Sequence, residues 1–281
     1  MDIFVSNGFM TGDVIQSIET LANNGFHNIE LSTGHCDDST LSKLKSYKSL
    51  GYNFRLHNYF PTPSKPFVLN LASDDPEVVL RSRTLIQTAL QWSSELEASY
   101  YAFHAGLRLT PQPYELGGNL VRQKLIPIDE AKERFIVELN VISEIASALG
   151  VNIAVENNVY DRKNFNVFGL DNPLLLTGSK DTDLELPESI GVLLDFGHLK
   201  VSACSEQFDK DECISRWAEK ISGYHISDND QLIDSNDLVT KDSWFWTKID
   251  KTIPEVTLEV YNPDFQKLQK NRNLIEKFYQ N

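Results

Sequence analysis

Six ionisable side chains stand at or near the ends of short apolar segments: His57, His104, Glu156, Asp195, His225 and Glu259. A carboxylate that ends an apolar segment such as 152–156 loses its hydration on folding, which is costly unless a cation or hydrogen bonds compensate it. Three acids and an imidazole on one face can bind such a cation. The sequence therefore predicts one divalent metal bound by the three acids and one of the histidines, and these ligand types leave Mn²⁺, Co²⁺, Mg²⁺, Fe²⁺ and Zn²⁺ open.

The segments that carry these residues alternate with longer segments of helical period, which is typical of βαβ units and a parallel sheet. Eight strands are predicted, over 2–6, 28–32, 53–57, 100–104, 152–156, 191–195, 223–226 and 255–260. In a parallel barrel the carboxyl ends of all strands meet on one face, so scattered positions become neighbours. We therefore expect an α/β protein, a single (β/α)₈ TIM barrel that spans residues 1–281 as one domain.

Helical period is clearest in four segments, at 11–24, 75–96, 127–149 and 273–279. Thr11 or Asp13 is a suitable cap for the first helix, Pro76 suits the first turn of the second, and Gly150 ends the third. Residues 157–189 contain several glycines and prolines and show no long helical period. We expect this segment to be an elaborated loop over the active face.

Composition and charge exclude several classes of protein. There are 26 basic and 40 acidic residues, and the net charge of -14 disfavours nucleic acid as a partner. No segment has the roughly 18 apolar residues of a membrane span, and the first residues lack the features of a secretory signal. The three cysteines show no C-x-x-C spacing. We expect a cytoplasmic protein that binds neither membranes nor nucleic acid.

Six short motifs occur in a fixed order: Leu56-His57-Asn58-Tyr59, Phe103-His104-Ala105-Gly106, Val155-Glu156-Asn157-Asn158, Asp195-Phe196-Gly197-His198, His225-Ile226-Ser227-Asp228-Asn229 and Leu258-Glu259-Val260. Each motif is weak alone, but six in order make a specific pattern. The chain resembles the xylose isomerase-like barrels over nearly its whole length. That superfamily includes sugar isomerases, sugar 3-epimerases and the endonuclease IV type of DNA-repair enzyme.

The resemblance implies roles for individual residues. Glu156, Asp195, His225 and Glu259 correspond to the metal ligands of the isomerases and epimerases, and Glu156 and Glu259 also to their acid and base pair. His198 resembles a residue that contacts a substrate hydroxyl. Further substrate-binding residues are predicted at His57, His104 and Asn158. The implied activity is isomerisation or epimerisation of a small sugar or sugar derivative, by proton transfer through a metal-stabilised enediolate.

Other functions remain open. The endonuclease IV members are hydrolases with three metals, and a second metal here would bind through His57 and His104 and share Glu156. Asn236 stands where those enzymes have a further histidine, and Gln231 is a candidate replacement for an arginine of the epimerases. A dehydratase with the same metal chemistry and a barrel that only binds ligands are the remaining alternatives. The sequence also leaves open a homodimer.

Overall fold

The computed structural model describes residues 2–262 and 264–280. Eight parallel strands close into a barrel in chain order, which confirms the predicted (β/α)₈ fold. The strands are β1 (Asp2–Ser6), β2 (Asn28–Leu31), β3 (Asn53–His57), β4 (Tyr100–His104), β5 (Asn152–Glu156), β6 (Ile190–Asp195), β7 (Ile221–Ile226) and β8 (Glu255–Leu258).

The helices around the barrel are α1 (Val14–Asn23), α2 (Thr40–Ser49), α3 (Pro76–Glu95), α4 (Ile128–Leu149), α5 (Arg162–Phe168), α6 (Phe196–Glu206), α7 (Lys210–Trp217) and α8 (Phe265–Gln280). The cap of α1 is Asp13, whose carboxylate accepts hydrogen bonds from the backbone of Ile15 and Gln16. Within the described ranges 2–262 and 264–280, no helix is long and apolar enough to cross a membrane.

Strand pairing brings the predicted site residues to one rim of the barrel. Opposite one another in the register are His104 of β4 and Glu156 of β5, and Asp195 of β6 and His225 of β7. Glu259 follows β8 directly, and its backbone N–H donates to the carbonyl of Ile226 at 3.1 Å. Because all strands run in the same direction, this rim is the carboxyl end of the barrel.

The loops after β4 and β5, together with Val68 from the loop after β3, carry a small apolar core of their own, separate from the main core between the strands and helices. We call it the loop core, and its buried members are Val68, Leu107, Leu109, Leu120, Tyr160, Phe168 and Leu174. Arg108 joins the two loops, because its side chain donates to the carbonyls of Ile126 at 2.9 Å and Asn172 at 2.8 Å.

The segment predicted as an elaborated loop, residues 157–189, follows β5. It contains the short helix α5, which begins after Asp161. The Asp161 carboxylate accepts a hydrogen bond from the backbone of Asn164 at 2.8 Å, and this local capping favours the helix. Seven residues are too few for the helical period to stand out in the sequence.

Candidate metal centre

The four predicted ligands converge at the carboxyl rim. One ligand atom from each of Glu156, Asp195, His225 and Glu259 lies within 4.8 Å of the other three. All four residues are buried, with at most 5% of their surface exposed. They come from β5, β6, β7 and the residue after β8, so the closed barrel itself fixes their relative positions.

The atoms that face one another have no hydrogen-bond partner among the described residues. They are Glu156 Oε1, Asp195 Oδ2, His225 Nδ1 and Glu259 Oε2. Of the three carboxylate oxygens, Glu259 Oε2 lies nearest to His225 Nδ1, at 2.6 Å and without hydrogen-bond geometry. Buried polar atoms without partners are costly. A cation bound by all four would remove this cost, so the residues fit a divalent metal.

Local structure orients one of the ligands. Asp195 ends β6 and caps α6, and its Oδ1 accepts a hydrogen bond from the backbone of His198 at 2.6 Å. The other carboxylate oxygen, Oδ2, is therefore left to face the centre. Burial raises the pKa of Asp195 to about 7, against the lowering effect of His198 and with further increase from Asp234 and Glu259.

The pKa values of two other predicted ligands, His225 and Glu156, are set by the charged groups around them. Burial lowers the pKa of His225, but Glu30, Glu259 and Glu156 outweigh it and hold that pKa well above its usual value. For Glu156 the directions are reversed: burial raises its pKa, but the nearby His104, His57 and His225 outweigh burial and hold that pKa well below the ordinary range. The protonation of Glu156 and that of the histidines around it therefore depend on each other.

Glu30 of β2 is a site residue that the sequence did not single out. It is fully buried, and His225 Nε2 lies 3.0 Å from its Oε1 and 3.1 Å from its Oε2. The sequence does contain a signal for Glu30, because this acidic residue interrupts an apolar strand, just as Glu156 ends one. Its partner is 195 residues away in sequence, so no local pattern connects the two.

Three further histidines surround Glu156. His57 Nε2 is 2.5 Å from Glu156 Oε2, and His104 Nε2 is 3.6 Å from the same oxygen. His198 Nδ1 lies 3.4 Å from Glu156 Oε1 and donates to the carbonyl of Asn157 at 2.9 Å. Two more groups with metal-binding geometry therefore share Glu156: His57 with His225, and His104 with His198.

The loop after β7 contributes Asp234 and Asn236. Asp234 Oδ2 lies 3.2 Å from His198 Nε2. Asn236 donates from its side chain to the carbonyl of Glu259 at 3.2 Å. The position that carries a histidine in the endonuclease pattern therefore holds an amide that supports the backbone of a predicted metal ligand.

A cavity of about 570 Å³ opens onto the centre. Its inner end is lined by His104, His198, Asp234 and Glu259, and an apolar wall includes Leu69 and Leu116. Asn158 also lines the cavity, although its amide nitrogen donates to the carbonyls of Ala105 and Leu175, both at 2.9 Å. Cavities of roughly 300–1,000 Å³ are typical of small-molecule sites.

A sequence profile described as "Xylose isomerase-like TIM barrel" matches residues 18–244, which include six of the eight strands in full and the first three predicted metal ligands. The chain belongs to this family. The sequence matches no curated protein.

Several solved structures resemble this xylose isomerase-like barrel at low identity. A D-tagatose 3-epimerase-like protein has a TM-score of 0.73 and 17% identity, with 100% of this chain and 97% of that chain covered. D-psicose 3-epimerase from Clostridium cellulolyticum H10, with D-tagatose, has a TM-score of 0.64, 14% identity and coverage of 100% and 98%. The IOLI protein with a zinc atom has a TM-score of 0.62, 15% identity and coverage of 99% and 98%. At these identities the likeness shows the fold alone.

Proposed function

We propose that this xylose isomerase-like barrel is a divalent-metal-dependent isomerase or epimerase of a small sugar or sugar derivative. The observation that carries the proposal is the set of four inward-facing ligand atoms without partners among the described residues, beside a cavity that one of the four residues, Glu259, lines. The sugar epimerases among the similar structures support the class of substrate. Manganese is the metal we favour, and cobalt, magnesium, iron and zinc suit the same ligands.

In this proposal Glu156, Asp195, His225 and Glu259 hold the metal. A bound divalent cation would polarise the substrate carbonyl and stabilise the negative charge that develops when the neighbouring proton leaves. Glu259 lines the cavity and is the residue we assign to remove or return a proton at the substrate carbon. Glu156 is assigned as the second acid or base. His57 and His225 hold it in place, because both contact its carboxylate.

The proposed substrate contacts follow from the cavity. His198 is held by Asn157 and Asp234 at its two ring nitrogens, and Asp195 and Asp234 keep its pKa well above the usual value although burial lowers it. A protonated His198 carries an N–H on both ring nitrogens; Asn157 accepts from Nδ1, so the Nε2–H, shared with Asp234, is the group assigned to donate to a substrate oxygen. His104 and Asn158 line the same inner region and are assigned to bind substrate hydroxyls.

The test is proton exchange. The metal-loaded protein, incubated with candidate ketoses in D₂O, should incorporate deuterium next to the carbonyl of a true substrate, as seen by NMR. Glu259→Gln and Glu156→Gln should each reduce incorporation by about 10²–10⁴-fold. The control is Glu133→Gln, because Glu133 is an exposed residue of α4. Full incorporation in both site variants with metal still bound would reject the assignment.

A hydrolase or phosphodiesterase of the endonuclease IV type is the second candidate. The contacts of His57 and His104 with Glu156 favour it, because they would suit a second metal. Asn236 and the net charge of -14 oppose it. Metal analysis separates the two: one metal per chain supports the isomerase or epimerase, while two or more zinc ions with hydrolysis of a phosphodiester would support the hydrolase. A dehydratase would show elimination of a hydroxyl from the same substrates.

A further inference from the structure

Glu30 reaches His225 across the barrel interior. It lies on β2, and His225 lies on β7, so β1 and β8 separate their strands in the barrel. The Glu30 carboxylate nevertheless meets His225 Nε2 with both oxygens, at 3.0 and 3.1 Å. The side chains of both residues are essentially inaccessible to solvent. This contact is made on the side of the imidazole opposite Nδ1, the nitrogen that faces the other predicted ligands.

The contact has a definite chemical effect on the imidazole. A carboxylate accepts hydrogen bonds and donates none when ionised, so it favours the tautomer with the proton on Nε2. That tautomer leaves the lone pair of Nδ1 free to bind a metal. A carboxylate behind a histidine ligand also fixes the plane of the ring and increases its basicity.

Glu30 is itself held by a column of buried groups that runs along the barrel axis. The hydroxyl of Thr257 donates to Glu30 Oε2 at 2.7 Å, and Arg55 Nη1 donates to the same hydroxyl at 3.2 Å. Arg55 then pairs with Glu255, the first residue of β8, whose side chain is 23% exposed at the opposite rim. A fully buried arginine is costly without such partners.

We propose that Glu30 is a positioning residue for the metal ligand His225, and that Thr257, Arg55 and Glu255 hold Glu30 in that position. The inference rests on the metal site of the proposed function. It adds that affinity for the metal depends on a column of side chains reaching the opposite rim of the barrel. In this assignment Glu30 contacts neither the metal nor the substrate, because the imidazole of His225 lies between the Glu30 carboxylate and the proposed metal.

The experiment measures binding of Zn²⁺ alone, by competition with a chelating dye, on the full-length protein stripped of metal. Glu30→Gln retains the size of the side chain and one acceptor oxygen but removes the charge. We expect zinc binding to weaken by about 10- to 100-fold. Glu255→Gln, at the far end of the column, should weaken it by a smaller factor. The exposed Glu133→Gln is the matched control and should bind zinc as the wild type does.

Thermal unfolding of the metal-free variants separates positioning from a general structural role. A purely structural Glu30 would lower the melting temperature and leave the zinc affinity of the folded fraction unchanged, and that result would overturn the inference. If Glu30→Gln does not fold, the test rests on Glu255→Gln. An unchanged zinc affinity in that variant would contradict the inference. If the wild-type protein binds no zinc, the proposed metal site is rejected, and this inference with it. If the wild type binds zinc and the variants bind it equally well, only the role of Glu30 is rejected.

Discussion

The side chain of Asn157 clamps the backbone of Asp195. Its Oδ1 accepts a hydrogen bond from the Asp195 N–H at 2.8 Å, and its Nδ2 donates to the Asp195 carbonyl at 3.1 Å. Both residues are fully buried. The amide thus ties the end of β5 to the end of β6 at the point where each strand presents a predicted metal ligand.

Replacing Asn157 by Ala should destabilise the protein, because two buried backbone groups lose their partners. We expect a loss of about 1–3 kcal/mol in the free energy of unfolding, and weaker metal binding, since Asp195 is no longer fixed. Urea unfolding with and without metal measures both effects. Asn166→Ala, at an exposed position of α5, is the control and should change neither. Equal stability of the two variants would contradict the clamp.

Metal affinity should rise with pH through neutrality. The pKa of Asp195 in the metal-free protein is raised to about 7, above the ordinary 3.8, so a cation competes with a proton there below that pH. A raised carboxyl pKa stabilises the metal-free fold at low pH, and this stabilisation is lost as the pH rises through about 7. The melting temperatures of the metal-loaded and metal-free protein should therefore diverge from about pH 5.5 to about pH 8. A constant difference would argue against proton competition at Asp195.

The hydroxyl of Tyr261 should orient the carboxylate of Glu259. This hydroxyl donates to Glu259 Oε1 at 3.1 Å, and a Cβ added at Gly8 would lie 2.5 Å from the same hydroxyl oxygen. Tyr261→Phe removes a hydrogen bond to a charged group, worth about 1.5 kcal/mol, and should lower turnover about tenfold. Gly8→Ala should have a similar effect by displacing the ring. The combined variant should be no worse than the poorer single variant, because both act on one contact. Tyr114→Phe, at an exposed tyrosine, is the control.

Glu115 should order the loop that forms the outer part of the cavity. Its carboxylate accepts hydrogen bonds from the backbone of Gln112 at 2.6 Å and Val121 at 2.7 Å. Between them, Gly117 and Gly118 line the cavity. In Glu115→Ala these two N–H groups lose their acceptor, so amide hydrogen exchange over 112–121 should accelerate. For an identified substrate, KM should rise more than kcat falls. Unchanged exchange in that segment would show that the loop holds its shape without Glu115.

The sequence predicted the barrel from its periodic pattern, and the resemblance to the xylose isomerase-like barrels indicated which four residues are the predicted metal ligands. Strand ends in a parallel barrel share one rim, so the position of Glu156 at the end of an apolar run already indicated its location. Helix α2 was missed because it buries only Thr40 and Leu44 and lacks a clear apolar face.

The supporting contacts could not be derived in the same way. The pairing of Glu30 with His225 depends on which strands face each other across the interior, and that relation appears only once the barrel closes. The contact of Asp234 with His198 depends on the path of an irregular loop, which no period describes. The sequence therefore indicated the predicted ligands but not the residues that contact them from behind.

The loop core shares no buried residue with the main core. Four of its members, Val68, Leu107, Leu120 and Leu174, also line the cavity, so a substitution there changes the cavity wall without touching the packing between the strands and the helices. The residues that shape the pocket wall and the residues that hold the strands to the helices are therefore two separate sets of buried side chains.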